Sequence, residues 1–434
     1  MQRLFLLARK LLRQIVRRLI SWLPRSKRFK IFRSFVDCNP APSKRLVLKI
    51  AETKEELEAC FSLLHDAYVE SGFMKPDASG MRLTIYHALP TTTTLCAKYD
   101  GHVVGTISLI RESEIGVPMQ QIFDLTAIRD IDGNIAEASA LAIHPRFRRT
   151  GGTILFPLMK FMYEYCTRYF DTRHLVIAVN PSHIEMYESL LFFRRLTSTV
   201  VEKYDFVNGA PAVGATLDLK EALEVFRKHY STKPPHRNLH AYFTQVKLPN
   251  IKFPNRRFFT TNDPVLSPEL LDYFFNVRTK VFENLSERKK ALLHSIYDLP
   301  EYRSVLPARS SSVEFIPIRL QKRFHVKCPA RISVVASNGR REIDFEVIDV
   351  SLNGFQARAH EQLPLNIWCD VTAQLGSAVV SHFRALALRE NNNGYNGYYA
   401  FRLGNPDTAW GRFVAKLEQS KTYDNLNSNS RFVI

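Results

Sequence analysis

Apolar residues in the first stretch of the chain recur every three or four positions. Leu4, Leu7, Leu11, Ile15, Leu19 and Trp22 form one stripe, Leu12, Val16 and Leu23 widen it, and Arg9, Arg13 and Arg17 lie on another face. This period predicts an amphipathic helix. After the linker Pro40-Ala41-Pro42, strand and helix patterns alternate. Strands are expected at Leu46–Ile50, Thr94–Tyr99, His102–Arg111, Ile135–Ile143, Leu175–Val179, Thr199–Phe206 and Val213–Leu219. Helices are expected at Glu55–Ser71, with Leu57, Phe61, Leu64 and Tyr68 on one face, at Thr153–Tyr169, and from Pro181 to Phe193. Asp100-Gly101 joins two of the strands as a hairpin turn. Mixed strands and helices in this order predict an α/β domain over residues 45–220.

Residues 221–315 read as mainly helical. Ser267-Pro268-Glu269-Leu270-Leu271 opens a helix with a capping serine, proline at the first position and an early acid. A second helix is expected at Ser286–Tyr297, and Pro300, Pro307 and Ser310–Ser312 mark a boundary. Beyond Pro317 the period changes to two: Ile343, Phe345 and Val347 alternate with Asp344 and Glu346, after the turn Ser337-Asn338-Gly339. Further strands at Asp370–Leu375, Val379–Arg389 and Tyr398–Leu403, then a helix at Thr408–Glu418 carrying Trp410, Phe413, Val414 and Leu417, predict a small antiparallel β barrel with a terminal helix.

Charge changes the reading of the N-terminal helix. Residues 1–36 hold eleven Lys and Arg and no acid, against a net charge of +18 for all 434 residues. The basic excess therefore belongs mainly to this segment, and no aromatic-interleaved basic patch follows that would suggest a nucleic acid polymer as partner. Arginines interrupt the apolar sequence too often for a bilayer crossing, and the run Leu4–Ala8 is too short for a signal peptide. The expectation is a helix lying on the anionic inner face of the cytoplasmic membrane, with Trp22 at the interface. The alternative is a helix docked on the protein's own surface. Six scattered cysteines without a Cys-x-x-Cys pair, and histidines without a His-Glu-x-x-His pattern, argue against a disulfide framework and against a metal site.

Two elements in the barrel region carry chemistry. Arg319-Leu320-Gln321-Lys322-Arg323 is an Arg-x-x-x-Arg pair, and Asp349-Val350-Ser351-Leu352-Asn353-Gly354 begins 26 residues after Arg323. Together they resemble a PilZ domain over residues 317–420. The resemblance implies a receptor for cyclic-di-GMP with Arg319, Arg323, Asp349, Ser351 and Gly354 at the ligand. A guanidinium can grip phosphate or a guanine edge, Asp349 can accept from guanine N–H, Ser351 offers a hydroxyl, and Gly354 lets backbone approach the ligand. Either element alone also reads as solvated charge or as a tight turn.

The α/β unit carries Cys60–Tyr68 leading to Gly72-Phe73, then Ala136-Glu137-Ala138-Ser139, then Asn180-Pro181-Ser182-His183-Ile184-Glu185-Met186-Tyr187. These segments, with Asn262-Asp263-Pro264 and Leu270–Phe275 beyond them, resemble the N-acyl amino acid synthases, GNAT-fold enzymes related to acyl-homoserine-lactone synthases. The resemblance implies transfer of a long fatty acyl group from acyl carrier protein or acyl-CoA to a small amine acceptor. It implies catalytic roles for Glu137, Ser139, Asn180 and His183, and substrate contacts from Tyr68, Tyr187, Arg146, Arg148 and Arg149. Glu137 reads either as the base that takes the ammonium proton or as a structural partner of Arg146 or Arg148. Asn180 reads also as a helix cap and His183 as a structural histidine. The homoserine-lactone synthases carry Glu-x-Ser-Arg, whereas Ala140 stands in the arginine's place. The pyrophosphate loop of GNAT enzymes is only approximated by Arg148-Arg149-Thr150-Gly151-Gly152-Thr153, which suits a carrier-protein donor with Arg146, Arg148 and Arg149 facing its acidic surface.

The chain thus divides into a basic helix and linker (1–40), a GNAT-like α/β acyltransferase domain (45–220), its helical extension (221–315), a PilZ-like antiparallel barrel (317–420) and a tail (421–434). The expected whole is an acyltransferase governed by cyclic-di-GMP. The competing reading is a non-enzymatic effector whose transferase fold binds a partner or a lipid.

Overall fold

The computed structural model describes residues 22–34, 36–113, 115–131, 133–148, 150–170, 172–204, 209–254, 259–260, 265–297, 300–309, 323–336, 339–375, 379–391 and 398–418. Arg319, Arg149, most of the N-terminal apolar stripe and the tail 421–434 lie outside them.

In chain order the first unit comprises helix α1 (Arg25–Ser34), strand β1 (Leu46–Ile50), α2 (Lys54–Glu70), β2 (Thr92–Tyr99), β3 (His102–Arg111), β4 (Asn134–Ile143), α3 (Leu155–Phe170), β5 (Thr172–Val179), α4 (Ile184–Leu190), β6 (Arg194–Arg195), β7 (Val201–Tyr204), β8 (Ala210–Asp218), α5 (Leu219–Tyr230) and α6 (Leu239–Thr244). Among the described residues the strands form one eight-stranded sheet, ordered β1-β2-β3-β4-β5-β8-β6 with β7 on β8. Its pairings are antiparallel except β4 with β5, which run parallel and are joined by the crossover helix α3.

Both faces of the sheet are covered. On one, α3 buries Leu158, Phe161, Tyr165 and Cys166 together with Phe226 and Tyr230 of α5 and Tyr242 of α6. On the other, Leu57, Cys60 and Phe61 of α2 share a core with Leu271, Phe274, Phe275, Phe282 and Leu293. The latter come from α7 (Pro268–Asp272), the π-helical turn after it, the 3-10 turn Val281–Asn284 and α8 (Glu287–Ile296). The helical extension therefore completes the α/β core, and Tyr297 ties it down by donating to the Ala88 carbonyl at 2.7 Å.

Local chemistry sets the helix ends. Thr53 caps α2 by accepting from the Glu56 amide, and Ser267 caps α7 by accepting from Leu270. The helix expected from Pro181 to Phe193 is shorter. Asn180 closes an Asx turn that delays its start to Ile184, and Phe192 adopts φ 61° just past its end. Glu56 is buried between Lys49 and Lys98, at 2.7 and 2.8 Å. Burial opposes its charge, but the two lysine hydrogen bonds prevail and hold the carboxyl down to about 2.

The second unit is a closed barrel of six antiparallel strands among the described residues: β10 (Phe324–Ala336), β11 (Gly339–Ser351), β12 (Gly354–Ala359), β13 (Trp368–Gln374), β14 (Val380–Asn391) and β15 (Tyr398–Gly404). Strand order β11-β12-β15-β14-β13-β10 closes by pairing β10 with β11. A short strand β9 (Phe259–Thr260) adds to β10. The alternating pattern around Ile343 marks β11, whereas β10 contains Pro329, which obscures it as a strand. The ladder of β10 with β13 begins at Ala330, just past that proline, where the missing N–H no longer matters. Helix α9 (Thr408–Glu418) closes one end with Trp410, which is fully buried against Phe355 and Phe383. Asp407 fixes the helix start, accepting from the Trp410 amide, the Ser381 hydroxyl and the His382 amide.

Candidate active site

Strands β4 and β5 pair from Asn134↔Thr172 to Glu137↔Val176 and then part. The cause lies in β4. Its pairing with β3 takes an extra residue between Ser139 and Ala142, and Ala140 adopts φ 55°. This bulge bends the strand out of register. Into the gap opens a cavity of about 460 Å³. Seven residues expected at the site line it together: Tyr68, Glu137, Ser139, Arg148, Asn180, His183 and Tyr187. Its far wall is apolar, with Met159, Met162, Leu217, Phe226 and Phe243. Such a pocket suits a long apolar chain with a few convergent polar groups at one end.

Glu137 is the one carboxyl among the described residues of that lining, 2 % exposed. The Met119 amide donates to its Oε2 at 2.8 Å. Burial raises its carboxyl to about 8, and the hydrogen bonds from Met119 and Ser139 pull it back only in part. The arginine partners considered for it are elsewhere. Arg148 donates to the Ile143 carbonyl at 2.7 Å and pairs with Glu70, and Arg146 stands exposed on a turn outside the cavity lining. Glu137 is therefore positioned by backbone and hydroxyl, in a range suited to proton transfer near neutral pH.

Asn180 does not cap α4, because His183 occupies the position before it. The Asn180 Oδ1 instead accepts from the Ser182 amide and hydroxyl at 3.0 and 2.7 Å. Its NH₂ end is what remains to meet a ligand. His183 Nδ1 lies 3.1 Å from the Ser182 hydroxyl. Tyr187 packs edge-on against Phe193, and burial pushes its phenol up to about 12.

The loop entering α3 holds Gly151 and Gly152 at φ 72° and 84°. Side chains are excluded there: a Cβ on Gly152 would sit 2.4 Å from the Phe156 ring. A Cβ on Gly151 would lie 3.2 Å from the Asp37 carboxylate. An acid over this turn disfavours a pyrophosphate on it. Among the described residues no group of three His, Cys, Asp or Glu side chains is placed to hold a metal.

In the barrel, Arg323 and Asp349 approach within 3.7 Å, the arginine half exposed and the carboxylate buried. Arg319 lies outside the described residues. The other two motif positions act on the fold first. Ser351 donates its hydroxyl to the Gly354 carbonyl at 3.0 Å, closing the turn. A Cβ on Gly354 would stand 2.7 Å from the Phe401 carbonyl. At Gly354 the absent side chain makes room for strand β15.

Several groups at the site are not marked in the sequence. Met119 donates to Glu137 from a short 3-10 turn, Tyr204 lines the cavity from a short strand, Phe226 and Phe243 line it from helices beyond the signature, and Arg82 and His87 come from a loop and the 3-10 turn after it. Only folding assembles them.

The N-terminal basic segment is partly accounted for by the protein itself. Arg25 pairs with Glu188, Arg28 with Glu185, and Arg33 donates to the Ser189 carbonyl at 3.1 Å, so α1 docks on α4. No helix among the described residues is long and apolar enough to cross a membrane.

Residues 59–218 match the family model of the N-acyl amino acid synthase FeeM. Among solved structures, the FeeM N-acyl amino acid synthase from uncultured soil microbes is 26 % identical, covers 42 % of this chain and 94 % of its own, with a TM-score of 0.35. The acyl-homoserine-lactone synthase LasI is 16 % identical, with 41 % and 91 % covered and a TM-score of 0.32. The PilZ domain of YcgR from Escherichia coli, solved with c-di-GMP, is 16 % identical, with 24 % and 90 % covered and a TM-score of 0.20. No curated protein matches the chain. Over residues 59–218 the chain is similar to the N-acyl amino acid synthase FeeM family, and this segment forms most of the eight-stranded sheet ahead of a closed six-stranded barrel.

Proposed function

We propose that the protein is an N-acyltransferase that moves a long-chain acyl group from a thioester of acyl carrier protein, or of CoA, to the amine of an amino acid or related acceptor. The observation that carries this reading is Glu137, buried in the lining of a largely apolar cavity where β4 and β5 part. The acyl chain lies along the wall of Met159, Met162, Phe226 and Phe243, with the thioester carbonyl in the gap between the strands. Glu137, as carboxylate, takes a proton from the acceptor's ammonium. The neutral amine nitrogen then attacks the carbonyl carbon. A C–N bond forms, the C–S bond breaks, and the leaving thiolate takes up the second proton that the nitrogen sheds as it becomes an amide, while Glu137 returns the first to solvent. Backbone groups in the gap and the Asn180 NH₂ are the candidate donors to the oxyanion.

The carboxylate over Gly151 and the irregular loop favour a carrier-protein donor over CoA. The barrel is proposed to bind cyclic-di-GMP through Arg323 and Asp349 with Arg319, and to govern the transfer. Attachment to the anionic inner membrane surface through the basic N-terminal residues completes the proposal. Purified full-length protein, supplied with myristoyl acyl carrier protein or myristoyl-CoA and a panel of amino acids, tests it by mass spectrometry. N-acylated product that is lost with Glu137→Ala supports the reading. Absence of product with every donor and acceptor, with and without cyclic-di-GMP, favours the non-enzymatic effector.

A further inference from the structure

An acyltransferase that accepts an amino acid must hold its carboxylate, yet β4 offers Ala140 where related synthases carry arginine. A cation reaches the same place from another element. Arg82 follows α2, its amide donating to the Phe61 carbonyl at 3.0 Å, and its guanidinium lies 4.4 Å from the Tyr68 ring centre. Cation–π contact of this kind fixes the plane of the guanidinium.

Arg82 lines a small recess of about 10 Å³ together with Thr84 and His87. Tyr68, Ser139 and Ala140 border both this recess and the main cavity, so the two meet at those residues. Consecutive residues of a regular strand would face opposite sides, but the bulge at Ala140 turns Ser139 and Ala140 to the same recess. The volume has room for about one oxygen-sized atom.

His87 supplies a second donor. The Thr84 amide donates to its Nδ1 at 3.0 Å, which places the ring proton on Nε2. That Nε2 is buried without a hydrogen-bond partner among the described residues. Burial holds the imidazole down to about 4, so it is neutral at physiological pH and keeps this single N–H. An orphan buried donor is costly unless a ligand satisfies it.

We propose that Arg82 and the Nε2–H of His87 form the carboxylate-binding site for the acceptor amino acid, replacing the arginine absent at position 140. The acceptor's amine, one carbon from its carboxylate carbon, then points past Ser139 toward Glu137. The site accordingly selects α-amino acids over amines that lack a carboxylate. This inference rests on the acyl transfer proposed above, but binding tests it separately from turnover.

Leucine and isopentylamine, and phenylalanine and phenethylamine, are compared by calorimetry on the full chain, and the same pairs are compared as acceptors of a myristoyl group. Wild type is expected to bind each amino acid at least about tenfold more tightly than its amine. Arg82→Gln erases that difference, and Arg82→Lys, which keeps the charge but not the fork, retains part of it. Each variant's melting curve reports whether it folds, and a folded Arg82→Lys suffices should Arg82→Gln unfold. Equal binding of acid and amine by wild type, or an acid–amine difference unchanged in folded Arg82 variants, overturns the inference. Carboxylate-dependent binding without any product sustains it and counts instead against the transferase reading.

Discussion

The backbone amide of Met119 donates a 2.8 Å hydrogen bond to Oε2 of Glu137, joining an irregular loop to a central strand at the point where the sheet opens. The bond stabilises the carboxylate, but burial outweighs it, so the carboxyl stays raised to about 8. As base, Glu137 is competent only when ionised. Acyl-transfer kcat/KM is therefore expected to rise about tenfold per pH unit below 8 and to level above it. Glu137→Gln should cost about 10²–10⁴ in rate and lose this slope, as measured by thiol release across pH 6–9.

The same shift predicts stability. A carboxyl raised in the fold contributes stability that is complete below its ordinary value of 4.5 and lost as pH rises through about 8. Glu137→Gln stays neutral and escapes this loss. Its melting temperature relative to wild type should climb between about pH 5 and pH 8 and level above that, read by calorimetry.

Glu56 behaves in the opposite sense. Held down to about 2 by Lys49 and Lys98, its contribution is present above 4.5 and lost as pH falls toward 2. Glu56→Gln is expected to destabilise the α/β unit by about 2 kcal/mol at pH 7, the lysines being partly solvated, and by much less at pH 2.5. Urea unfolding at the two pH values measures the difference.

Gly354 separates barrel folding from ligand chemistry. Gly354→Ala sets a Cβ against the Phe401 carbonyl and should destabilise the barrel by about 2 kcal/mol, lowering its own melting transition. Arg323→Ala should leave that transition in place and weaken cyclic-di-GMP binding at least about tenfold by calorimetry.

The docking of α1 on α4 competes with any membrane contact. The double variant Glu185→Gln with Glu188→Gln removes the partners of Arg28 and Arg25. Binding to vesicles containing anionic lipid is expected to increase by about tenfold, and high salt should abolish the gain. Unchanged partitioning would place the membrane contact, if one forms, wholly in residues ahead of α1.

What could be read from the chain follows from local physics. Periods of 3.6 and 2 located α2, α3, β3, β4 and β11, because each buries one face of a regular element. Caps at Ser267 and the Asp100-Gly101 turn are equally local. The signature Glu137-Ala138-Ser139 with Asn180 and His183 was visible as residue types in order, and so was the Arg323–Asp349 pairing of motifs. Folding alone decided the rest. The β4 bulge at Ala140 has no sequence marker, since a positive φ on alanine goes with the extra residue that β4 takes against β3. Glu137 owes its raised carboxyl to burial by segments far away in the chain, and Arg148 finds its ion-pair partner, Glu70, on another element. That Gly354 also makes room for strand β15 shows only once the barrel closes. Sequence determines which groups are present and which elements form, because those depend on neighbours along the chain. Which groups meet, and how tightly each holds its proton, depends on neighbours in space.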